Sequence, residues 1–470
     1  VISQVVSRIA EAVRDAGGRA LLVGGLVRDE LLGLPSKDAD LEVFGVPADR
    51  LRRILEGIGR VETVGEAFAV FKVIVPAGRG TDVAARARQN AVDVSLPRRE
   101  SKAGRGHKGF LVEGDPNLSF EDAARRRDFT INAISRDPLT SEIVDPFDGR
   151  RDLRDRRLRV VDPARFGDDS LRVLRALQFA ARFDLTVPDE TREICRSIPL
   201  DDLPPERVWT EVEKLLLQAR RPSLGLALAL EIGVVDRLWP ELKALVGCPQ
   251  ESEWHPEGDV WVHTLMVADE ARARIDDLDR GPAVAMMLGA LCHDLGKPST
   301  TAVIDGRTRS PGHEEAGVEP AARLLDRLNV HTIDGYDVRQ AVLGLVAHHL
   351  KPSAFKKAPT PVGDGAFRRL AQKVDLELLA RFATADCHGR SGTFDCSAMD
   401  WFVERARALG VEHAPPPPVV MGRHLLELGV APGPHMGDLL KRVYERQLDG
   451  EVRTLEEGLA MVREMLANRT

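Results

Sequence analysis

The segment Lys37-Asp-Ala-Asp-Leu-Glu42 sets Asp38 and Asp40 two residues apart. On a strand that spacing sends both carboxylates out of the same face. Two such groups can hold Mg2+ ions between a triphosphate and an attacking hydroxyl. Upstream, Leu22-Val-Gly-Gly-Leu-Val-Arg-Asp29 runs an apolar stretch into a Gly-Gly turn, then an arginine and an acid. Gly24 and Gly25 let the backbone approach phosphates closely, and Arg28 offers a bidentate fork. Arg28-Asp29 reads equally as a structural ion pair. Asp93, in Val92-Asp-Val94, is a third candidate carboxylate on a neighbouring strand, where edge acids are also common. Taken singly, Asp-x-Asp is ordinarily a solvated loop and Gly-Gly an ordinary turn. In this order and spacing they outline a nucleotidyl-transfer site.

The elements that must position these groups follow from periodicity. Val5, Ile9, Ala12, Val13 and Ala16 keep helical spacing within residues 1–20. Ala20–Val23, Asp40–Phe44, Ala69–Val75, Ala91–Leu96 and Ile143–Val144 read as strands, and Asp49–Ile58 as a helix. Residues 97–118 read as a Gly/Arg/Lys-rich loop, after which Ser119 caps a helix with Asp122 as the capping acid. Beyond about residue 160 strand signals fade. Helices are expected over 168–182, 206–218 and 222–230, and helical patterns continue through 260–410. Ala414-Pro-Pro-Pro-Pro-Val419 is a linker to a small helical tail. The fold class expected is α+β, a small mixed sheet with helices followed by all-α regions. The domains expected are a head at 1–150, a helical neck and body at 151–245, a further helical domain at 246–410 and a tail at 411–470.

The two opening motifs resemble those of the DNA polymerase β-type nucleotidyltransferases, and specifically the bacterial class II tRNA nucleotidyltransferase/poly(A) polymerase family. The resemblance returns at Arg126-Arg-Asp-Phe-Thr-Ile-Asn-Ala133. It implies that Arg126, Arg127, Asp128 and Asn132 bind the nucleotide, with Asp128 and its arginines at the ribose 2′-hydroxyl. Asp168-Asp-Ser-Leu-Arg172 is similar to the family's base-selecting template, with Asp168 where Glu is usual. Asp169 accepts and Arg172 donates, as the edge of cytosine requires. Outside this context an i, i+3 Asp–Arg pair is ordinarily a surface salt bridge. Arg207 and Glu211 resemble the next helical motif and are read as orienting that template. Asp145 and Gly149 fit a turn supporting the head.

A second constellation lies downstream. His263, His293-Asp294 and Asp386 match the H…HD…D order of HD-domain phosphohydrolases. Neutral imidazoles with carboxylates suit Mn2+, Ni2+, Co2+ or Fe. A metal here lowers the pKa of a bound water for attack on phosphorus. Lys297 would steady a phosphate. His313 and His348 are candidates for extending the site to two metals, with His349 pointing elsewhere, and His255 and His331 are read as uninvolved.

Composition is compatible with this reading. The chain has 470 residues and a formal net charge of −7. That does not advertise an RNA binder, but Arg98, Arg99, Lys102, Arg105 and Lys108 cluster locally, as do Arg125–Arg127. No apolar run reaches the roughly 18–20 residues of a membrane span, and the N-terminal pattern is amphipathic rather than a signal peptide. A cytoplasmic protein is expected. Five scattered cysteines without Cys-x-x-Cys spacing are read as buried, reduced thiols rather than disulfides or a zinc ribbon.

The activity these residues imply is template-independent addition of C, C and A to tRNA 3′ ends from CTP and ATP. An HD phosphohydrolase activity accompanies it. The alternatives within the family are A-only addition, CC-only addition and poly(A) synthesis. The alternative of another class is an HD phosphohydrolase with a non-catalytic RNA-binding head.

Overall fold

A computed structural model describes residues 2–35, 39–63, 70–75, 91–102 and 110–467. The chain divides into two units, Val1–Val212 with Glu231–Val234, and Glu213–Leu230 with Val235–Thr470.

The first unit is built on a seven-stranded mixed sheet. Its strands are β1 (Arg19–Val23), β2 (Ala39–Phe44), β3 (Arg60–Thr63), β4 (Val70–Ile74), β5 (Ala91–Ser95), β8 (Ser135–Arg136) and β9 (Ile143–Val144), in the order β3-β4-β5-β2-β1-β8-β9. Only β2 and β5 run parallel; the other neighbours are antiparallel. Alternation sets the two faces. Leu41, Val43, Val92, Val94 and Val73 are buried, while Asp40 and Asp93 between them are exposed. Helix α1 (Ile2–Asp15) buries Val5, Ile9 and Val13, and α3 (Ala48–Glu56) buries Leu51 and Leu55.

Residues 98–102 and 110–114 pair as an antiparallel hairpin, β6 and β7, inside the stretch expected to be a loop. Its β-branched content is too low for periodicity to signal strands. Strand β3 was likewise absent from the sequence reading. Ser119 caps α4 (Phe120–Arg125) as expected, accepting from Asp122 N at 3.0 Å. Asp145 accepts from the backbone N–H of Gly149 and Arg150 at 2.7 and 2.9 Å. A Cβ on Gly149 would fall 2.1 Å from Thr130 O, so only glycine allows that turn to pack. Helix α5 (Leu171–Phe183) begins later than expected, leaving Asp168 and Asp169 in the preceding turn. It packs Phe179 edge-on against Phe129. Helix α6 (Pro205–Gln218) follows.

The second unit is helical around α7 (Val260–Arg272), α8 (Arg280–Cys292), α9 (Val338–His348) and α10 (Leu376–His388). Every residue of α8 from Ala283 to Cys292 is buried, so this helix is apolar all round and forms the centre of the unit. Two small hairpins, Ala302–Arg309 and Thr332–Asp337, interrupt the helical pattern. The tail helices close over their own cluster of Leu425, Leu439, Val443 and Val462. Cys387 and Cys396 form a disulfide, which corrects the expectation of reduced thiols only; Cys195, Cys248 and Cys292 are free and buried. The nine-residue separation carries no spacing signature, so proximity arises from the turn after α10.

Candidate functional site

In the head, β1 delivers the chain into Gly24, whose φ of 73° favours glycine. A Cβ there would lie 3.6 Å from Arg127 Nη1 and 4.0 Å from Asp40 Oδ2. The turn, Arg127 and Asp40 therefore adjoin. Asp40 on β2 and Asp93 on β5 are register partners on parallel strands, so their carboxylates leave the same exposed face. Lys72 Nζ lies 4.0 Å from Asp93 Oδ1. Asp38 lies outside the described residues. The oxygen donors here suit a hard divalent ion such as Mg2+.

Arg28 answers to the structural of its two readings. It is 5% exposed, binds Asp29 Oδ1 through Nε and Nη2 at 2.8 and 2.7 Å, and donates to Asn132 Oδ1 at 2.7 Å. Its guanidinium also lies 4.4 Å from the Phe183 ring centroid. It braces α2 (Gly25–Leu31) against α5 rather than presenting a free fork.

The Arg126–Ala133 octet forms one polar network. Arg126 pairs with buried Glu42 of β2 at 2.6 Å. Asp128, buried, accepts from Phe129 N at 2.8 Å, Asn132 Nδ2 at 2.9 Å and Arg175 Nε at 2.6 Å. Burial alone would raise the Asp128 pKa; Arg175 and the two hydrogen bonds outweigh it and hold the carboxyl below the usual range. Arg175 was not singled out from the sequence. Its signal was available: it follows Arg172 by three residues and so shares its helix face.

Arg172 N donates to Asp169 O at 3.1 Å, but the two side chains are held by other residues. Arg207 grips Asp169 with Nη1 at 3.2 Å and Nη2 at 3.0 Å, and Leu171 N adds a third donor at 3.2 Å. Arg172 donates to the carbonyls of Arg165 and Arg126 at 2.9 and 2.8 Å. Each side chain is thus held by other partners, which fixes an acceptor and a donor in place.

In the second unit four imidazoles converge on two carboxylates. The Nδ1 atoms of His293, His313 and His349 lie 3.0, 2.8 and 2.9 Å from the carbonyls of Ala290, Ser310 and Val346. A carbonyl only accepts, so each Nδ1 carries the proton and each Nε2 offers a lone pair. His263 Nδ1 meets Glu257 Oε1 at 2.9 Å, and its Nε2 lies 3.0 Å from Asp386 Oδ1. His293 Nε2 is buried without a hydrogen bond, although Asp294 Oδ2 is only 3.2 Å away. His313 and His349 face each other Nε2 to Nε2 at 3.2 Å. Lone pairs directed at carboxylates and at one another are repulsive unless a cation lies between them. The groups His263–His293–Asp294 and Asp294–His313–His349 each fit one ion, with Asp294 shared.

His349 therefore takes the place expected of His348. His348 Nδ1 is buried without a partner, and burial with nearby Lys373 and Lys351 lowers its pKa. Burial and facing His293 push His349 down to about 3, keeping it neutral as a ligand must be. Lys297, 8% exposed, sits 2.7 Å from Asp294 Oδ2. Glu257 was also missed: its Oε1 is 2.9 Å from both His255 Nδ1 and His263 Nδ1. His255 is consequently part of the surroundings of the site; His331 is exposed.

Three family models match: the Poly A polymerase head domain over residues 20–159, the probable RNA and SrmB-binding site of polymerase A over 184–245, and the HD domain over 260–384. The chain is 41% identical over 337 residues to a multifunctional CCA protein of Xanthomonas campestris, covering 70% of this chain and 74% of that one. It is 36% identical over 385 residues to the protein of that name from Mannheimia succiniciproducens, covering 79% and 84%. In fold it is similar to the Bacillus stearothermophilus CCA-adding enzyme in complex with CTP, with a TM-score of 0.64, 21% identity and coverage of 98% and 96%. The Thermotoga maritima CCA-adding enzyme complexed with tRNA-CCA gives a TM-score of 0.56 at 18% identity, covering 99% and 98%. The head and HD domains together imply dependence on divalent metal and nucleotide substrates. On the extent and identity of these matches, the chain belongs to the multifunctional CCA protein family.

Proposed function

We propose that this protein adds C, C and A to tRNA 3′ ends without a nucleic-acid template. The observation that carries the reading is the paired exposure of Asp40 and Asp93 beside Gly24 and Arg127, with Asp169 and Arg172 each locked by third residues. The tRNA 3′-hydroxyl attacks the α-phosphate of CTP or ATP, a new P–O bond forms, and the bond to pyrophosphate breaks. Asp38 and Asp40, with Asp93 as third carboxylate, would hold Mg2+, which would neutralise charge and activate the hydroxyl. Gly24, Gly25 and Arg127 border the triphosphate, and the Asp128 network meets the ribose. Arg28 and Asn132 support that network from behind. The helical regions grip tRNA by shape and phosphates. Among the described residues no helix is long and apolar enough to cross a membrane; acting on tRNA would place the protein in the cytoplasm.

The HD site is a second active centre on the same chain, a phosphohydrolase for 2′,3′-cyclic or terminal phosphates. His263, His293 and Asp294, with Asp386 beside them, would hold one ion, Mn2+, Ni2+, Co2+ or Fe, and His313 with His349 would extend the set to a second. Hydrolysis forms one P–O bond from water and breaks one ester P–O bond, the proton passing to the released hydroxyl. Lys297 offsets charge on the phosphate.

The test uses tRNA transcripts ending before CCA, after C and after CC, with Mg2+ and one labelled nucleotide at a time. Stepwise C, C, A that then stops is expected. A added only to the CC end, C only, or a long A ladder would replace the assignment with the A-adding, CC-adding or poly(A) alternative. No extension would leave the HD centre as the activity of the chain.

A further inference from the structure

The disulfide between Cys387 and Cys396 stands beside the HD centre. Cys387 follows the candidate ligand Asp386 in the last turn of α10, and Cys396 precedes helix α11 (Ser397–Ala408). The bond therefore closes the turn between the two helices, and that turn touches the centre at two points. Ser391 N donates to Glu257 Oε2 at 3.2 Å, and Glu257 Oε1 meets His263 Nδ1 at 2.9 Å. Arg390 lines the same cavity as Asp294 and Asp386. It donates through Nε to Cys387 O at 3.3 Å and places Nη2 3.2 Å from Cys387 Sγ.

The packing of the two helices does not depend on the bond. Ala383, Cys387, Ala398 and Met399 form a small core, with Phe394 and Cys396 packed against it. Breaking the S–S bond thus leaves α10 and α11 together and frees the turn between them. The sulfurs differ in access: Cys387 is buried and Cys396 only partly so. An attacking thiol meets Cys396 first. A tRNA-acting enzyme works where thiols are kept reduced, and disulfides there are ordinarily transient, catalytic or redox-sensing.

Resting on the metal-binding reading of the HD residues, we propose that Cys387 and Cys396 are a reversible redox site, served by a dithiol reductant and a disulfide oxidant, that sets how firmly the HD centre holds its metal. One sulfur of the dithiol bonds to Cys396 Sγ, the bond to Cys387 breaks, and Cys387 Sγ takes a proton. The second thiol of the reductant then displaces Cys396 Sγ, which takes the other proton, and the reductant leaves as a disulfide. Two electrons and two protons have passed to the protein, and oxidation by a disulfide reverses each step. In the reduced turn the Ser391 bond loosens, Glu257 loses a donor, and His263 is held less firmly in its ligating orientation.

The experiment treats the full chain, as apoprotein, with dithiothreitol, removes the reagent under nitrogen and titrates Mn2+, which has little affinity for thiols. Alkylation and mass spectrometry verify the state of Cys387 and Cys396. The oxidised protein is expected to bind Mn2+ about three- to tenfold more tightly than the reduced one, short of the 10- to 100-fold lost when a supporting residue is removed outright. Oxidised glutathione restores the tighter binding. Cys396→Ser binds like the reduced protein and does not respond to dithiothreitol, while CCA addition is the same in every form. Equal affinity in the two states would overturn the proposal, as would a response that persists in Cys396→Ser. Should no form bind Mn2+, the metal-binding reading fails, and hydrogen exchange at the Ser391 amide decides the redox site separately: faster exchange on reduction supports it, unchanged exchange sinks it.

Discussion

Replacing Arg207 tests whether the base is read by a fixed protein edge. Arg207 supplies two of the three donors that hold the Asp169 carboxylate, at 3.2 and 3.0 Å; Leu171 N supplies the third. In Arg207→Met the carboxylate keeps one donor and regains rotation about its own side-chain bond. Both partners are 29% exposed, so the ion pair itself contributes under about 1 kcal/mol to stability. A bidentate pair at a base edge is worth about 1–3 kcal/mol of discrimination. Losing the fixed acceptor removes about half of that, about 0.5–1.5 kcal/mol, or a roughly two- to twelvefold fall in selectivity at 1.4 kcal/mol per tenfold. The assay is kcat/KM for CTP against UTP on a tRNA lacking CCA, with thermal unfolding measured in parallel. The expected result is a fallen CTP/UTP ratio with a melting temperature shifted by only a few degrees. An unchanged ratio in a folded variant would refute the reasoning, because Asp169 would then be reading the base without its brace.

Asp40→Asn is expected to lower nucleotide addition by roughly 10³-fold while HD hydrolysis persists, since it removes a metal ligand of one centre only. Glu257→Gln should weaken metal binding at the HD centre by about 10- to 100-fold, measured by titration of the purified apoprotein, with CCA addition intact. His349→Ala should abolish binding of the second ion there, whereas His348→Ala should leave stoichiometry unchanged; the reverse order would restore the sequence-based assignment. Arg175→Met leaves buried Asp128 without its cation and should cost about 2 kcal/mol at pH 7, less than a fully buried pair because Arg175 is 33% exposed. Asp128 is depressed in the folded protein, so the pair stabilises above about pH 4 and that contribution is lost as pH falls through the folded value. The stability gap between Arg175→Met and the parent should therefore narrow on acidification.

The head was legible where one residue type does one thing. Alternating Val92-Asp-Val94 announced both the strand and the exposed acid, and the parallel register then set it beside Asp40. Arg28 shows the limit. A fork beside a glycine turn serves a phosphate or a carboxylate equally well, and Phe179 and Phe183, which decide the matter by stacking on it, lie some 150 residues away in the chain. The template failed in the same way. Asp169 and Arg172 were expected to project together from one helix turn, but the helix starts at Leu171, and the partners that hold them come from other segments.

The exchange of His348 for His349 has a local cause. His293 and His349 are each the residue that closes a helix, after Cys292 and His348, where the last carbonyls lack helical partners. At that position Nδ1–H bonds the carbonyl three residues back, Ala290 O and Val346 O respectively. The bond fixes the tautomer and drives Nε2 forward into the site, and His313 does the same with Ser310 O. His348, one residue earlier, is turned about 100° around the helix and its Nδ1 finds no partner. The spacing of histidines along the sequence could not distinguish the two; the helix end could, since it selects which imidazole has a spare carbonyl behind it. Two of the four converging imidazoles close helices in this way, and His313 makes the same bond from the first residue of a helix, so the candidate ligand set is dictated as much by where helices begin and end as by where histidines fall.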